Sequence, residues 1–279
     1  MTGTVRPTGT VPSTGTVPST GTVPPTITAP VLVGCSHGTD SPAGRAAIRS
    51  ILADVAAARP DLDVREAFVD VQEPEVADVV AAALEGAPAV VVPLLLSVGF
   101  HTKVDVAAAV DRPGAAASRP LGPDPRLVAI LADRLSAAGL RDEDAVVLAA
   151  AGSSEPASAD AVRVVAAGLA EHLGRPVHVG FGAGAHPRVP AAVVEARADL
   201  ADGGRVVVAS YLLAPGYFLD RVLEAGADVV TDALAPDPRL AAVVLDRYAE
   251  ESAGATAAWR TAAAGTPARP AVAGPGTHA

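Results

Sequence analysis

Cysteine occurs once in 279 residues, at Cys35. No disulfide within the chain is possible, and a reducing compartment fits. Aromatic residues make up only 3% of the chain. A core must therefore be packed chiefly from Ala, Val and Leu, within a hydrophobic content of 50%. Lysine is scarcer still: of 21 basic residues, Lys103 is the single lysine. The net charge of −10 argues against a nucleic-acid or membrane-surface binder. No run approaches the roughly 18 apolar residues of a transmembrane helix. The basic and apolar regions of a secretory signal are missing from the N-terminus, so the cytoplasm is the expected location. The phosphate-binding patterns GxGxxG and GxxxxGK[ST] are missing too. This counts against a nucleotide cofactor, although Gly34 and Gly38 could cradle a phosphate.

What the sequence does have is repetition. Residues 2–25 run through the hexamers TGTVRP, TGTVPS, TGTVPS and TGTVPP. With Gly and Pro recurring and little to bury, residues 1–28 are expected to be a disordered tail. Residues 252–279, rich in Ala, Gly, Pro and Thr, are expected to be a second one, with helix persisting briefly near Trp259.

Between the tails, strand-like runs alternate with helical patterns, as in βαβ units with a parallel sheet. Strands are expected at Val31–Val33, Asp63–Val69 and Ala89–Leu96, the last apolar throughout as in a strand buried on both faces. Helices are expected at Ala43–Ala58, Pro74–Leu84, Val104–Val110 and Pro125–Ala138. The pattern then recurs at an offset of roughly 115 residues. Val146–Ala149, Val162–Leu173, Val177–Phe181 and Arg205–Leu213 match elements of the first half. GPDPRLVAILADRL at 122–135 returns as APDPRLAAVVLDRY at 235–248. The fold class is thus α/β, two tandem Rossmann-like domains with parallel sheets that arose by duplication, over residues 29–140 and 141–251.

In parallel sheets, ligands bind at the carboxyl ends of strands. His37 follows the first strand in Gly34-Cys35-Ser36-His37-Gly38. Asp70 and Glu73 follow the second. His101 follows the third, two residues before Lys103. Two imidazoles and a carboxylate suit a divalent metal such as Fe²⁺, Co²⁺ or Ni²⁺. Each residue also has a plainer role available. Asp70 could cap the helix beginning near Pro74, Glu73 could sit in its first turn, and Cys35 fits a packing role better than a ligand role. The second half bears on the choice. At the repeat offset His37 falls on Gly152, Asp70 on Ala183 and His101 on Tyr217, while Glu73 falls on His186. Joint loss of His37, Asp70 and His101 fits residues that work as one unit, leaving a single site in the first domain. His172 and His178 fall inside a helix and a strand and fit surface or packing roles.

Three segments resemble a known family. SHGTDSPAG at 36–44 resembles the HGSRDP loop that opens class II sirohydrochlorin chelatases of the CbiX/SirB type. FVDVQEP at 68–74 resembles their FLE…EP segment, and VVVPLLLSVGFHTKVDV at 90–106 their VVPLFL…GxHxxxDI segment. The duplicated layout resembles their long, two-domain form. The resemblance implies ATP-independent insertion of Fe²⁺ or Co²⁺ into sirohydrochlorin, for sirohaem or cobalamin synthesis. It implies that His37 and His101 stand at the two essential histidines, and Asp70, one methylene shorter, at the family's metal-binding glutamate. The opening loop departs from the family as well, with Thr-Asp-Ser in place of Ser-Arg-Asp.

Metal insertion displaces two pyrrole N–H protons, and an imidazole, with an ordinary pKa of about 6.5, can accept one. Sirohydrochlorin carries carboxylates, so Lys103, Arg45 and, from the second half, Arg188 and Arg221 are candidate partners, with Tyr217 on the opposite wall. A non-catalytic protein that binds or delivers a metal or tetrapyrrole on the same fold is the alternative. Monomer and homodimer both fit, because a duplicated chain can close a two-lobed cleft alone.

Overall fold

The structure is a computed structural model, and it describes residues 29–99, 102–200 and 202–265. The expected N-terminal repeat tail and His101 lie outside the described residues, as do Phe100, Ala201 and 266–279.

The first half runs β1 (Val31–Ser36), α1 (Pro42–Ala58), β2 (Val64–Phe68), α2 (Val76–Leu84) and β3 (Ala89–Pro93). A π-helical turn (Thr102–Val106) follows, then α3 (Ala107–Ala109), β4 (Ala115–Ala117) and α4 (Pro125–Ala137). The second half runs β5 (Ala145–Ala150), α5 (Pro156–Leu173), β6 (Val177–Phe181), α6 (Val189–Ala198), β7 (Val206–Tyr211), α7 (Tyr217–Leu223), β8 (Val229–Val230) and α8 (Pro238–Gly265). Local chemistry sets several of these boundaries. The Ser41 hydroxyl accepts from the Gly44 N–H at the start of α1, and Asp124 accepts from Arg126 N–H at the start of α4. In each, a proline follows the cap and supplies a helical φ without a wasted donor. Gly174, at φ 65, closes α5 in the left-handed conformation.

Two four-stranded parallel sheets result, ordered β2-β1-β3-β4 and β6-β5-β7-β8. Strand order reverses direction between β1 and β3, and again between β5 and β7. Such a switch point opens a crevice at the carboxyl ends of the strands. β1 and β3 are buried along their whole length, as central parallel strands must be.

The register corrects one correspondence expected from the repeat. Leu32 pairs with Val64 as Val146 pairs with Val177, and Asp70 N–H donates to the His37 carbonyl as Ala183 N–H donates to that of Ala151. His37 therefore matches Ala151, and it is Gly38 that matches Gly152. Val31 pairs with Ala89 as Ala145 pairs with Val206, and Val90 pairs with Ala116 as Val207 pairs with Val229, so the offset changes between β3 and β4, where His101 lies outside the described residues. Insertions and deletions between strands shift the offset by one to four residues, which a nearly constant sequence offset does not follow. Ala151 still leaves the second half without a histidine at the counterpart of His37.

The halves are not packed as separate beads. One face of each sheet contributes to a shared core, in which Leu32, Val90 and Val92 join Leu148, Val207 and Ala209. The outer faces carry smaller clusters, around α2 and α3 on the first sheet and around α6 on the second. The last helix of each half crosses over: α4 packs on α5 and β7, and α8 on α1, β3 and β4. Arg247 on α8, 2% exposed, donates to the carbonyls of Pro120 and Leu121 and to the Asp124 carboxylate. The Tyr248 hydroxyl donates to the Pro30 carbonyl at 2.7 Å. α8 continues through Ser252, where a tail was expected, to Gly265. Ala255 is buried, and the Trp259 side chain lies over Gly114. Among the described residues no helix is long and apolar enough to cross a membrane.

Candidate functional site

The crevice at the strand ends is a cavity of about 720 Å³ between the two halves. From the first half it is lined by the His37–Ser41 loop, by Arg45, Val71 and Gln72, and by Leu94–Ser97. Ala151–Ser153 and Ala214–Phe218 line it from the second half. His37 leaves the end of β1 exposed to solvent. The adjacent Gly38, at φ 93, lets the chain turn where a β-carbon would collide with the Asp70 carbonyl oxygen. The loops bearing His37 and Asp70 are therefore in direct contact, with Asp70 N–H donating to the His37 carbonyl at 3.2 Å. Asp70 Oδ1 accepts from the Val71 N–H at 2.8 Å, and Gln72 Oε1 accepts from the Thr39 N–H at 2.9 Å.

Arg45 lies on the same wall. Its Nε donates to the Thr39 carbonyl at 2.8 Å, and its guanidinium sits 3.6 Å from Asp40. Tyr217 stands across the cleft, 70% exposed, edge-on to Phe218 at 5.4 Å between ring centroids, with the Arg221 guanidinium 5.9 Å from its ring. Arg188 lies elsewhere, at the N-cap of α6 and not among the lining residues. The backbone of Lys103 is in the π-helical turn. Nothing is described of its side chain, nor of His101. Among the described residues no group of three or more His, Cys, Asp or Glu side chains is arranged to hold a metal, and His101 is not one of them.

Cys35 is buried in β1. Desolvation, reinforced by the charge of Asp105, pushes its thiol up to about 12, so it stays protonated near neutrality and is a poor metal donor. Sequence reasoning passed over Val71 and Gln72, which fix the Asp70 turn against the His37 loop. The only available signal was their position inside FVDVQEP. It also passed over the two hydroxyl ties that anchor the segment after β3 to the second half. Tyr211 donates to the Leu96 carbonyl at 3.1 Å, and the Ser97 and Ser158 hydroxyls are 2.8 Å apart.

The CbiX family model matches residues 31–138 and 145–251, so it recognises both halves separately. The chain belongs to the CbiX family. Among solved structures it is similar to SirB from Bacillus subtilis with Fe³⁺, at a TM-score of 0.70 and 21% identity, over 83% of this chain and 98% of that one. It is also similar to the sirohydrochlorin chelatase SirB from Bacillus subtilis subspecies spizizenii in complex with cobalt, at 0.63 and 18%, over 81% and 96%. A third is CbiX, the terminal enzyme for biosynthesis of sirohaem in denitrifying bacteria, at 0.57 and 23%, over 79% and 98%. At these identities the structures show the shared fold. No curated protein matches the sequence. For a CbiX-family chain, the two-domain architecture of tandem parallel sheets is the one observed here.

Proposed function

We propose that this chain is a chelatase, a lyase that inserts Fe²⁺ or Co²⁺ into sirohydrochlorin without ATP, feeding sirohaem or cobalamin synthesis. The observation that carries the reading is the placement of His37 on the wall of a cleft at the switch points of both sheets, in contact through its backbone with Asp70. The cleft volume falls within the range of about 300–1,000 Å³ usual for small-molecule sites. In this reading His37 and His101 deliver the metal and take up pyrrole protons, while Asp70 ligates the ion or orients its ligands. Insertion exchanges one divalent cation for two N–H protons. A neutral imidazole can release the ion and accept a proton at the same place. Nitrogen and oxygen donors accept iron and cobalt alike, so the ligand set fits either as substrate.

Arg45 and Tyr217 are the lining residues that best fit substrate binding, one as a carboxylate partner and the other as an aromatic contact for the macrocycle. Lys103 is proposed beside them from its place in the sequence. Arg188 has the weakest support, because it lies off the cleft. The test is to follow the absorption of sirohydrochlorin with Co²⁺ or Fe²⁺ present. Metal insertion faster than in buffer supports the proposal. Tight binding with no acceleration would instead indicate a binding or delivery protein. If His101→Ala inserted metal as fast as the parent, the histidine assignment would be withdrawn while the activity stood.

A further inference from the structure

Val71 is the one non-glycine residue with positive φ among those described, at φ 59. A β-branched side chain in the left-handed region is a steric outlier. The duplication supplies the comparison. The matched bonds Asp70 N–H to His37 and Ala183 N–H to Ala151 are each followed by one left-handed residue. In the second half that residue is Gly184, at φ 64, which takes the conformation at no steric cost. Both halves thus place a positive-φ residue at this point, and only the half with His37 and Asp70 uses a β-branched residue there.

Four contacts hold the turn in place. They are the Asp70 bond to His37, the Gln72 N–H to the Asp70 carbonyl at 2.5 Å, the Val71 N–H to the Asp70 carboxylate at 2.8 Å, and the Gln72 amide oxygen on the Thr39 N–H at 2.9 Å. None of them involves the valine side chain. That side chain is 49% exposed, so core burial does not offset the strain, and it lines the cleft. Strain of this kind persists where the surroundings over-determine it, and it concentrates at functional sites.

We infer that Val71 is a substrate-contact residue, whose left-handed turn holds an isopropyl group in the cleft to pack against the apolar face of the tetrapyrrole beside the metal position. The inference rests on the reading of the cleft as a tetrapyrrole site. Val71→Gly keeps the turn and its N–H and removes only the side chain, and Asn is also tolerated in this conformation. Both variants should raise Tm by about 2 °C as strain is released. Both should bind metal-free sirohydrochlorin about three- to tenfold more weakly in a fluorescence titration, because apolar contact is lost. KM should rise in step while kcat changes little. A purely structural valine would give the opposite pattern, with Tm falling and affinity unchanged, and either of those results overturns the inference. If the parent neither binds nor metallates sirohydrochlorin, the underlying reading fails first. If the parent binds it and the variants bind equally well, the inference alone fails.

Discussion

Under the proposed function Asp70 serves at the metal, where the family resemblance implies a glutamate one methylene longer. Its backbone is bonded directly to that of His37, and the Val71 N–H holds one carboxylate oxygen. The close approach of the two loops, made possible by Gly38, is what would bring Asp70 to a metal held by His37 in this reading. Asp70→Ala should therefore raise the metal concentration for half-maximal insertion by about tenfold or more, while Asp70→Asn, keeping one acceptor, loses less. Steady-state rates against metal concentration measure both. The residue is exposed, so thermal stability should change little. At this scale the sequence was partly legible. His37 and Asp70 stood out as polar groups at strand ends; their loops are joined by a backbone hydrogen bond, and of the two only His37 lines the cleft. Val71 did not stand out, because a left-handed φ leaves no trace in an ordinary apolar residue, whereas Gly184 in the same turn at least permits the inference.

Elements were read best where they were long and periodic. The strand at Val177–Phe181 matches its expected span, and α4 and the central strands agree within a few residues. The edge strands Ala115–Ala117 and Val229–Val230 were missed. Each is two or three residues long, and alanine has little β preference of its own. The Val104–Val110 region was expected to be a plain helix. It begins as a π-helical turn, a variation in hydrogen bonding that apolar spacing does not reveal. Helix junctions also carry the pH dependence. Burial would raise the Asp124 carboxyl, but the Arg126 side chain and backbone N–H, together with Arg247, outweigh it and leave the group at about 2. A depressed acid contributes stability that is complete above its unfolded value of about 4 and is lost as pH falls towards 2. Asp124→Asn should thus cost about 2 kcal/mol at neutral pH. That cost should shrink below pH 4 in denaturant titrations run at several pH values. A cost that persists unchanged into acid would show that the ion pairs are not its source.

At the scale of the whole molecule, duplication was legible in the sequence but the exchange of final helices was not. Two copies of a motif look alike whether each helix packs on its own sheet or on its neighbour's. Here α4 and α8 cross over, and Leu127, Ile130 and Leu131 share one core with Val207 and Leu234. The protein should therefore melt in a single calorimetric transition. Residues 29–140 or 141–251 produced alone should lack cooperative folding, since each half would lose the helix that covers its sheet. Two separated transitions, or a half that folds alone, would show the domains to be independent. The second half also shapes the site of the first. It closes the cleft through Tyr217 and ties down the segment after β3 through Tyr211 and Ser158.

The central claim is that the cleft beside His37 inserts a metal into sirohydrochlorin. Its most direct test is the initial rate of Co²⁺ or Fe²⁺ insertion, followed by absorption, for the parent protein, for His37→Ala and for buffer alone. The account predicts a rate for the parent well above buffer. It predicts a fall of about 10²–10⁴-fold in His37→Ala, with Tm unchanged because the side chain is exposed. A parent rate equal to that of buffer, or a His37→Ala rate equal to that of the parent, would contradict it.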